Sequence, residues 1–77
     1  RDEIGDPDLK RFLRQIGQAI RAVRDRKHMT LEEVEAAGYP SWRHLQKVEA
    51  GHPFTMSTLF RIAKALRVKP SEFFKEH

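Results

Sequence analysis

Residues 30–51, TLEEVEAAGYPSWRHLQKVEAG, restrict the possible folds of this chain more than any other segment. Thr30, with Glu33 three residues later, forms a capping-box signature that predicts the start of a helix. Gly38 and the proline two residues beyond it end that helix after about two turns, because glycine adopts left-handed conformations and proline cannot continue the hydrogen-bond ladder. Ser41 then caps a second helix. The segment therefore predicts two short helices joined by a tight turn.

The second of these helices begins SWRHLQK and carries side chains suited to reading nucleic acid. Arginine pairs bidentately with guanine and glutamine with adenine, while lysine reaches bases or phosphates. A short helix presented beside a tight turn fits the major groove of DNA. We therefore expect sequence-specific DNA binding.

The remainder of the chain is predicted to be helical too, since no segment alternates with period two. Asp6, followed by proline, predicts the start of a first helix, and cations suit its end near Lys27 and His28. Thr55 caps a fourth helix, and a last turn holds two phenylalanines. The expected core consists of apolar residues at helical spacing: Ile16, Ile20, Val23, Leu31, Val34, Leu45, Val48, Leu59, Ile62, Leu66, Val68 and Phe73.

Composition excludes several classes of function. The 77 residues include no Cys, which removes disulfides and thiolate chemistry, and no apolar run approaches the length of a membrane span of about 20 residues. The four histidines do not share a helix face, and Glu32, Glu33 and Glu35 are expected to be solvated helix-surface carboxylates. We therefore expect no enzyme activity, metal, cofactor or small-molecule ligand. Because the chain begins at Arg1 rather than Met, we expect a processed or trimmed product.

The formal net charge is +4, and it is unevenly distributed. Residues 11–28 are strongly basic, whereas residues 1–10 are acidic. Basic small domains often bind polyanions, because each neutralised phosphate releases condensed counterions. A basic but merely solvated surface is the alternative, and charge by itself favours neither.

Three blocks in this order, IRAVRDRKHMTLEEV, WRHLQKVEAG and TLFRIAKALRVKPSEFF, resemble the Cro-type, lambda-repressor-like (XRE family) domains of bacterial and phage regulators. The resemblance implies an all-α fold, a five-helix bundle with a helix-turn-helix in helices 2 and 3 and an extended first helix. It divides the chain into an N-terminal arm and helix-1 extension over residues 1–15, a DNA-binding domain over residues 16–74 and a tail over residues 75–77.

The resemblance also implies roles for individual side chains. Base contacts are expected from the exposed face of the recognition helix: Trp42, Arg43, Gln46 and Lys47. Phosphate contacts are expected around it: Lys27, Thr30, Ser41, His44, His52 and Thr55. A buried ion pair between helices 1 and 3 is expected for Arg24 and Glu49. For Trp42 two placements stay open, one against DNA and one folded back onto helix 2.

Four positions depart from the family pattern. Leu31 replaces the glutamine that usually begins helix 2, and Glu35 replaces a small residue within that helix. Tyr39 stands where the turn glycine is usual, and Arg67 replaces the glycine that ends helix 4. Because Gly38 precedes Tyr39, we expect the turn to be shifted by one residue.

Apolar residues at the start of helix 1 lie outside the resemblance and need a cover. The segment around Phe73 and Phe74 could supply it within the chain, or a second subunit could. Candidates for a subunit interface are Leu9, Phe12, Leu13, Phe60 and Phe74.

The resemblance implies a transcriptional regulator, expected to be a repressor in the bacterial or phage cytoplasm, associated with the nucleoid. We expect a homodimer on double-stranded DNA, because two recognition helices about 34 Å apart read a palindromic operator. The alternatives are a protein-interaction module on the same fold with weakened DNA binding, and the antitoxin or controller subunit of a larger system.

Overall fold

The computed structural model describes residues 6–74, and every regular element in that range is helical. The elements in chain order are α1 Pro7–Arg26, α2 Leu31–Ala36, α3 Trp42–Glu49, α4 Met56–Leu66 and a C-terminal 3₁₀ helix, Pro70–Phe74. The predicted all-α architecture is confirmed. The expected fifth helix is a single 3₁₀ segment of five residues, so the bundle has four α-helices rather than five.

The predicted helix starts are confirmed by their capping hydrogen bonds. Asp6 accepts from the Asp8 amide at 2.9 Å, and Thr30 and Glu33 form the complete capping box. Ser41 and Thr55 accept from amides three residues later, each at 3.2 Å. A side-chain oxygen thus satisfies one otherwise unpaired backbone donor at the start of every α-helix.

All four α-helices end with the same pair of backbone hydrogen bonds around a left-handed residue. In α2 the Tyr39 amide donates to the Val34 carbonyl and the Gly38 amide to the Glu35 carbonyl, which is a Schellman motif. Gly38 has φ +128°, so the expected one-residue shift of the turn is confirmed. The left-handed residues at the four ends are His28, Gly38, Gly51 and Arg67.

The core lies between the inner faces of the helices and differs from the sequence expectation at its edges. Leu31 and Val68 are half-buried and pack against the core rather than within it, because each lies next to a helix end. The sequence analysis missed buried residues that complete the core: Leu13, Tyr39, Ala63 and Ala65.

Helix α3 is held in place by packing against both α1 and α2. Gly17 of α1 permits the close approach, since a Cβ there would lie 2.6 Å from the carbonyl oxygens of Val48 and Glu49. A contact that short cannot be accommodated without moving backbone. The residue therefore sets the distance between α1 and the last turn of α3.

The start of α1 is partly covered within its own chain. Leu13 is buried, and the Phe12 ring stacks on that of Phe74 with centroids 6.5 Å apart. Leu9 is half-buried. The expectation that Leu13 lies on a subunit interface is corrected by its burial, because the 3₁₀ helix packs against α1.

Candidate nucleic-acid interface

An ion pair fixes the inner side of α3. Arg24 Nε donates to Glu49 Oε2 at 2.8 Å and Arg24 Nη2 to Glu49 Oε1 at 3.0 Å, while Nη1 donates to the Met29 carbonyl at 2.9 Å. Side-chain exposure is only 11% for Arg24 and 9% for Glu49. The hydrogen bond to Glu49 raises the pKa of Arg24 against the opposing effect of desolvation. The pair joins α1, the end of α3 and the loop before α2.

Helical periodicity separates this inner side from an outer one. Leu45 and Val48 have no exposed surface. Arg43, Gln46 and Lys47 are exposed, and no residue within 6–74 forms a side-chain hydrogen bond or ion pair with them. Because side chains three to four residues apart share a helix face, these three point away from the core together. The structure thus brings together three of the four predicted base-contacting residues on one solvent-facing surface.

Trp42, the fourth, is half-buried at the start of that surface. The Arg43 guanidinium lies over its indole ring, 5.0 Å from the centroid. A cation–π contact of this kind is worth about 0.5–1 kcal/mol at exposed sites. The contact favours one orientation of Arg43 before any ligand arrives.

The helix-turn-helix surface contains no exposed large apolar side chain in the part of the chain that the structure describes. Those that exist lie on α1, α4 and the 3₁₀ helix: Phe12, Met56, Phe60 and Phe74. The outer surface of α2, the turn and α3 is therefore polar, with positive charge at Arg43 and Lys47 on α3 and negative charge at Glu32 and Glu33 on α2.

This geometry of two short helices, a tight turn and an exposed polar face agrees with a family comparison. A family profile described as helix-turn-helix matches residues 20–73. The chain belongs to the lambda-repressor-like helix-turn-helix family. Members of this family are DNA-binding regulators rather than enzymes. Comparison with curated proteins and with solved structures gives no match.

The predicted phosphate-contacting residues of this helix-turn-helix domain fall into two groups. Lys27 and His52 are exposed. Thr30, Ser41 and Thr55 are helix caps whose oxygens accept backbone N–H groups, and the Thr55 hydroxyl also donates to Thr58 at 3.1 Å. A capping hydroxyl without a further acceptor keeps its own proton available for a phosphate oxygen.

His44 differs from the other predicted phosphate contacts because its ring has a partner. The Tyr39 hydroxyl hydrogen-bonds to His44 Nδ1, and the two rings stack at 10° with centroids 6.0 Å apart. Sequence reasoning missed this role of Tyr39. A signal existed, because the residue two places beyond a helix end commonly packs back on the last turn, and Tyr39 follows Gly38 in that position.

Two further classes of site are absent from residues 6–74. No group of three or more His, Asp or Glu side chains there is arranged to hold a metal ion. No helix in that range combines the length and the apolar character needed to cross a membrane.

Proposed function

We propose that this domain is a sequence-specific transcriptional regulator, acting as a repressor, that inserts α3 into the major groove of a palindromic operator as a homodimer. The observation that carries this proposal is the exposed face of Arg43, Gln46 and Lys47 on a helix whose opposite face is fixed in the core. Family membership supports the same conclusion.

Base readout is assigned to the first two turns of α3. Arg43 pairs with guanine O6 and N7. Because Arg43 already stacks on Trp42, it loses less side-chain conformational entropy when it binds. Gln46 reads adenine, and Lys47 lies one turn after Arg43, where it reaches a base or a phosphate. Trp42 contacts the sugar or a thymine methyl at the edge of the groove.

Phosphate contacts on both sides of α3 fix its register. They are assigned to two exposed loop residues and to residues at helix starts: Lys27 and His52, and Thr30, Ser41, His44 and Thr55. Each phosphate that the protein neutralises adds about 0.9 to the slope of log affinity against log salt.

Dimerisation is assigned to apolar side chains that the single chain leaves exposed. Phe60 is 58% exposed, and the stacked Phe12 and Phe74 are 47% and 45% exposed. Residues 1–15 serve as an extension of the DNA-binding domain of residues 16–74, and the half-buried Leu9 belongs to that extension. We place the protein in the cytoplasm, on the nucleoid.

A protein-interaction module on the same fold is the competing function. It calls for an apolar patch across Trp42 and the turn. Within residues 6–74 the turn instead buries Tyr39 and exposes Gly38 and Pro40, and the α3 face carries Arg43 and Lys47. The polar face of α3, with cations at Arg43 and Lys47, favours DNA.

Selection of bound fragments from a random duplex library tests the function. We expect enrichment of a two-fold symmetric site whose half-sites are about 10 base pairs apart, centre to centre. Arg43→Ala should then lose about 1–3 kcal/mol on that site and relax preference at one base pair. Arg21→Ala serves as the charge-matched control, since Arg21 is exposed on α1 and pairs with Asp25.

Three results would overturn parts of the proposal. Absence of any enriched sequence would remove sequence-specific recognition. A loss for Arg43→Ala that is equal on selected and random DNA would remove its base-reading role. Enrichment of single half-sites, with one protein bound per duplex, would remove the homodimer.

A further inference from the structure

Tyr39 is the most deeply buried polar side chain next to the recognition helix. It lies directly after Gly38, is 3% exposed, and joins the core cluster with its ring. Burial raises the pKa of the Tyr39 phenol, although hydrogen bonding from Thr58 and the charge of Arg61 act in the opposite direction. The hydroxyl is therefore neutral, and it lies next to His44 of α3 and Thr58 of α4.

The Tyr39 hydroxyl lies beside Thr58 of α4 and His44 of α3. Thr55 Oγ1 donates to Thr58 Oγ1 at 3.1 Å, and Thr58 lines the same cleft as Tyr39 and His44. The Tyr39 hydroxyl hydrogen-bonds to His44 Nδ1, and with the phenol as the donor its oxygen stays available to accept from Thr58.

The direction of that last hydrogen bond determines the tautomer of His44. A neutral imidazole that accepts at Nδ1 carries its proton on Nε2. His44 is exposed on the first turn of α3, and no residue within 6–74 hydrogen-bonds to Nε2. With Tyr39 as the donor, Nε2 is the free nitrogen of the ring and carries the N–H.

The surroundings of this ring suit an anion. Tyr39 and His44 border a cleft of about 270 Å³ whose lining contains one cation and hydroxyl groups but no carboxylate. The remaining lining residues are Pro40, Ser41, Thr58 and Arg61. A phosphate oxygen at this cleft would lie near His44 and near Arg61, the cation of the lining.

We infer that Tyr39 is a positioning residue for DNA binding: its hydroxyl holds the His44 ring in the Nε2–H tautomer, so that this N–H donates to a backbone phosphate next to the groove occupied by α3. The inference rests on the proposed DNA-binding function. It assigns to Tyr39 an effect on affinity that passes through His44 and not through the core.

A double-mutant cycle combined with nitrogen NMR tests the inference. Tyr39→Phe removes only the hydroxyl and keeps the ring, and His44→Ala removes the donor. On the duplex recovered by selection, Tyr39→Phe should weaken binding about three- to tenfold, the size of one neutral hydrogen bond. In the His44→Ala background the same change should have no effect. Circular dichroism confirms that every variant is folded at the temperature of the titration.

The ¹⁵N spectrum of free His44 supplies a readout that a purely structural role would not change. The wild type should show the Nε2–H tautomer, and Tyr39→Phe should show a mixture of tautomers. An Nδ1–H tautomer in the wild type, or equal losses of affinity in both backgrounds, would overturn the role of Tyr39. A wild type that binds no DNA, with the tautomer as expected, would instead refute the proposed function and the phosphate contact with it.

Discussion

The two faces of α3 differ in burial and in their contacts with the rest of the chain. On the inner face Leu45 and Val48 are fully buried and Glu49 is paired with Arg24, so substitutions there disturb packing or leave a charge without its partner. On the outer face Arg43 and the residues one turn beyond it are exposed. Within one helix of eight residues, the side chains that hold the fold together are therefore distinct from those that are exposed and open to a ligand.

The largest expected effect is the loss of the inner-face ion pair. Arg24→Ala should lower the free energy of unfolding by about 3 kcal/mol, because the Glu49 carboxylate is left almost buried without its partner. Urea denaturation measures the loss. Arg21→Ala is the control, since its pair with Asp25 is 3.8 Å long and both side chains are more than half exposed. That variant should lose less than about 1 kcal/mol. Similar losses for the two variants would show that the Arg24–Glu49 pair stabilises the fold no more than an exposed pair does.

The next largest effect is expected at Gly17, where the sign of the change in unfolding free energy distinguishes the two possible outcomes. An ordinary Gly→Ala change inside a helix stabilises by about 1 kcal/mol. Gly17→Ala should instead destabilise by about 2 kcal/mol, because the new methyl group meets the carbonyl oxygens of Val48 and Glu49. Gln18→Ala, at the exposed neighbouring position, should be close to neutral. A gain of stability for Gly17→Ala would show that α1 does not approach α3 as described.

A smaller effect on stability is expected at the end of α4, outside the helix-turn-helix. Arg67 is left-handed with φ +61° at the end of α4, where glycine would relieve strain. Arg67→Gly should raise the free energy of unfolding by about 0.5–1 kcal/mol after the larger backbone entropy of glycine is subtracted. Lys64→Gly, one turn earlier on the exposed side of α4, should destabilise by about 1 kcal/mol. Thermal unfolding of the two variants should therefore move in opposite directions.

The smallest effect concerns the ionisation of Tyr39, a core residue whose hydroxyl hydrogen-bonds to His44 on α3. Its folded-state pKa is raised by burial above the ordinary value of about 10. The neutral phenol is thus favoured in the folded state, and its contribution to stability is complete below pH about 10 and lost as the pH rises through the folded-state pKa.

Absorbance titration measures this pKa directly, because Tyr39 is the only tyrosine in the chain. The native protein should ionise at higher pH than the same protein in urea. Coincident titration curves would contradict the burial of the hydroxyl.

Much of the fold was predictable because its signals are local. Thr30, Ser41 and Thr55 start helices through hydrogen bonds to amides only three residues away, and Gly38 ends α2 by its own conformation. Such features are visible in a short window of sequence. The Arg24–Glu49 pair, 25 residues apart, was expected only from the family resemblance.

Other features depend on tertiary contacts and could not be predicted. The need for glycine at position 17 arises from backbone that follows about 30 residues later. The bond between Tyr39 and His44 depends on how the shifted turn directs the phenol ring. The roles of the α3 side chains in DNA binding stay predictions, since their ligand lies outside the chain.

The most direct test of the separation between the two faces of α3 is the double variant Arg43→Ala/Lys47→Ala, with Lys10→Ala/Arg21→Ala as the charge-matched control on the exposed side of α1. Melting temperature and affinity for the selected site are measured on the same preparation. The account predicts a melting temperature within about 4 °C of the wild type and affinity lowered about a hundredfold, with the control almost unchanged in both. Wild-type affinity in the Arg43→Ala/Lys47→Ala variant, or a loss of affinity matched by loss of the fold, would contradict it.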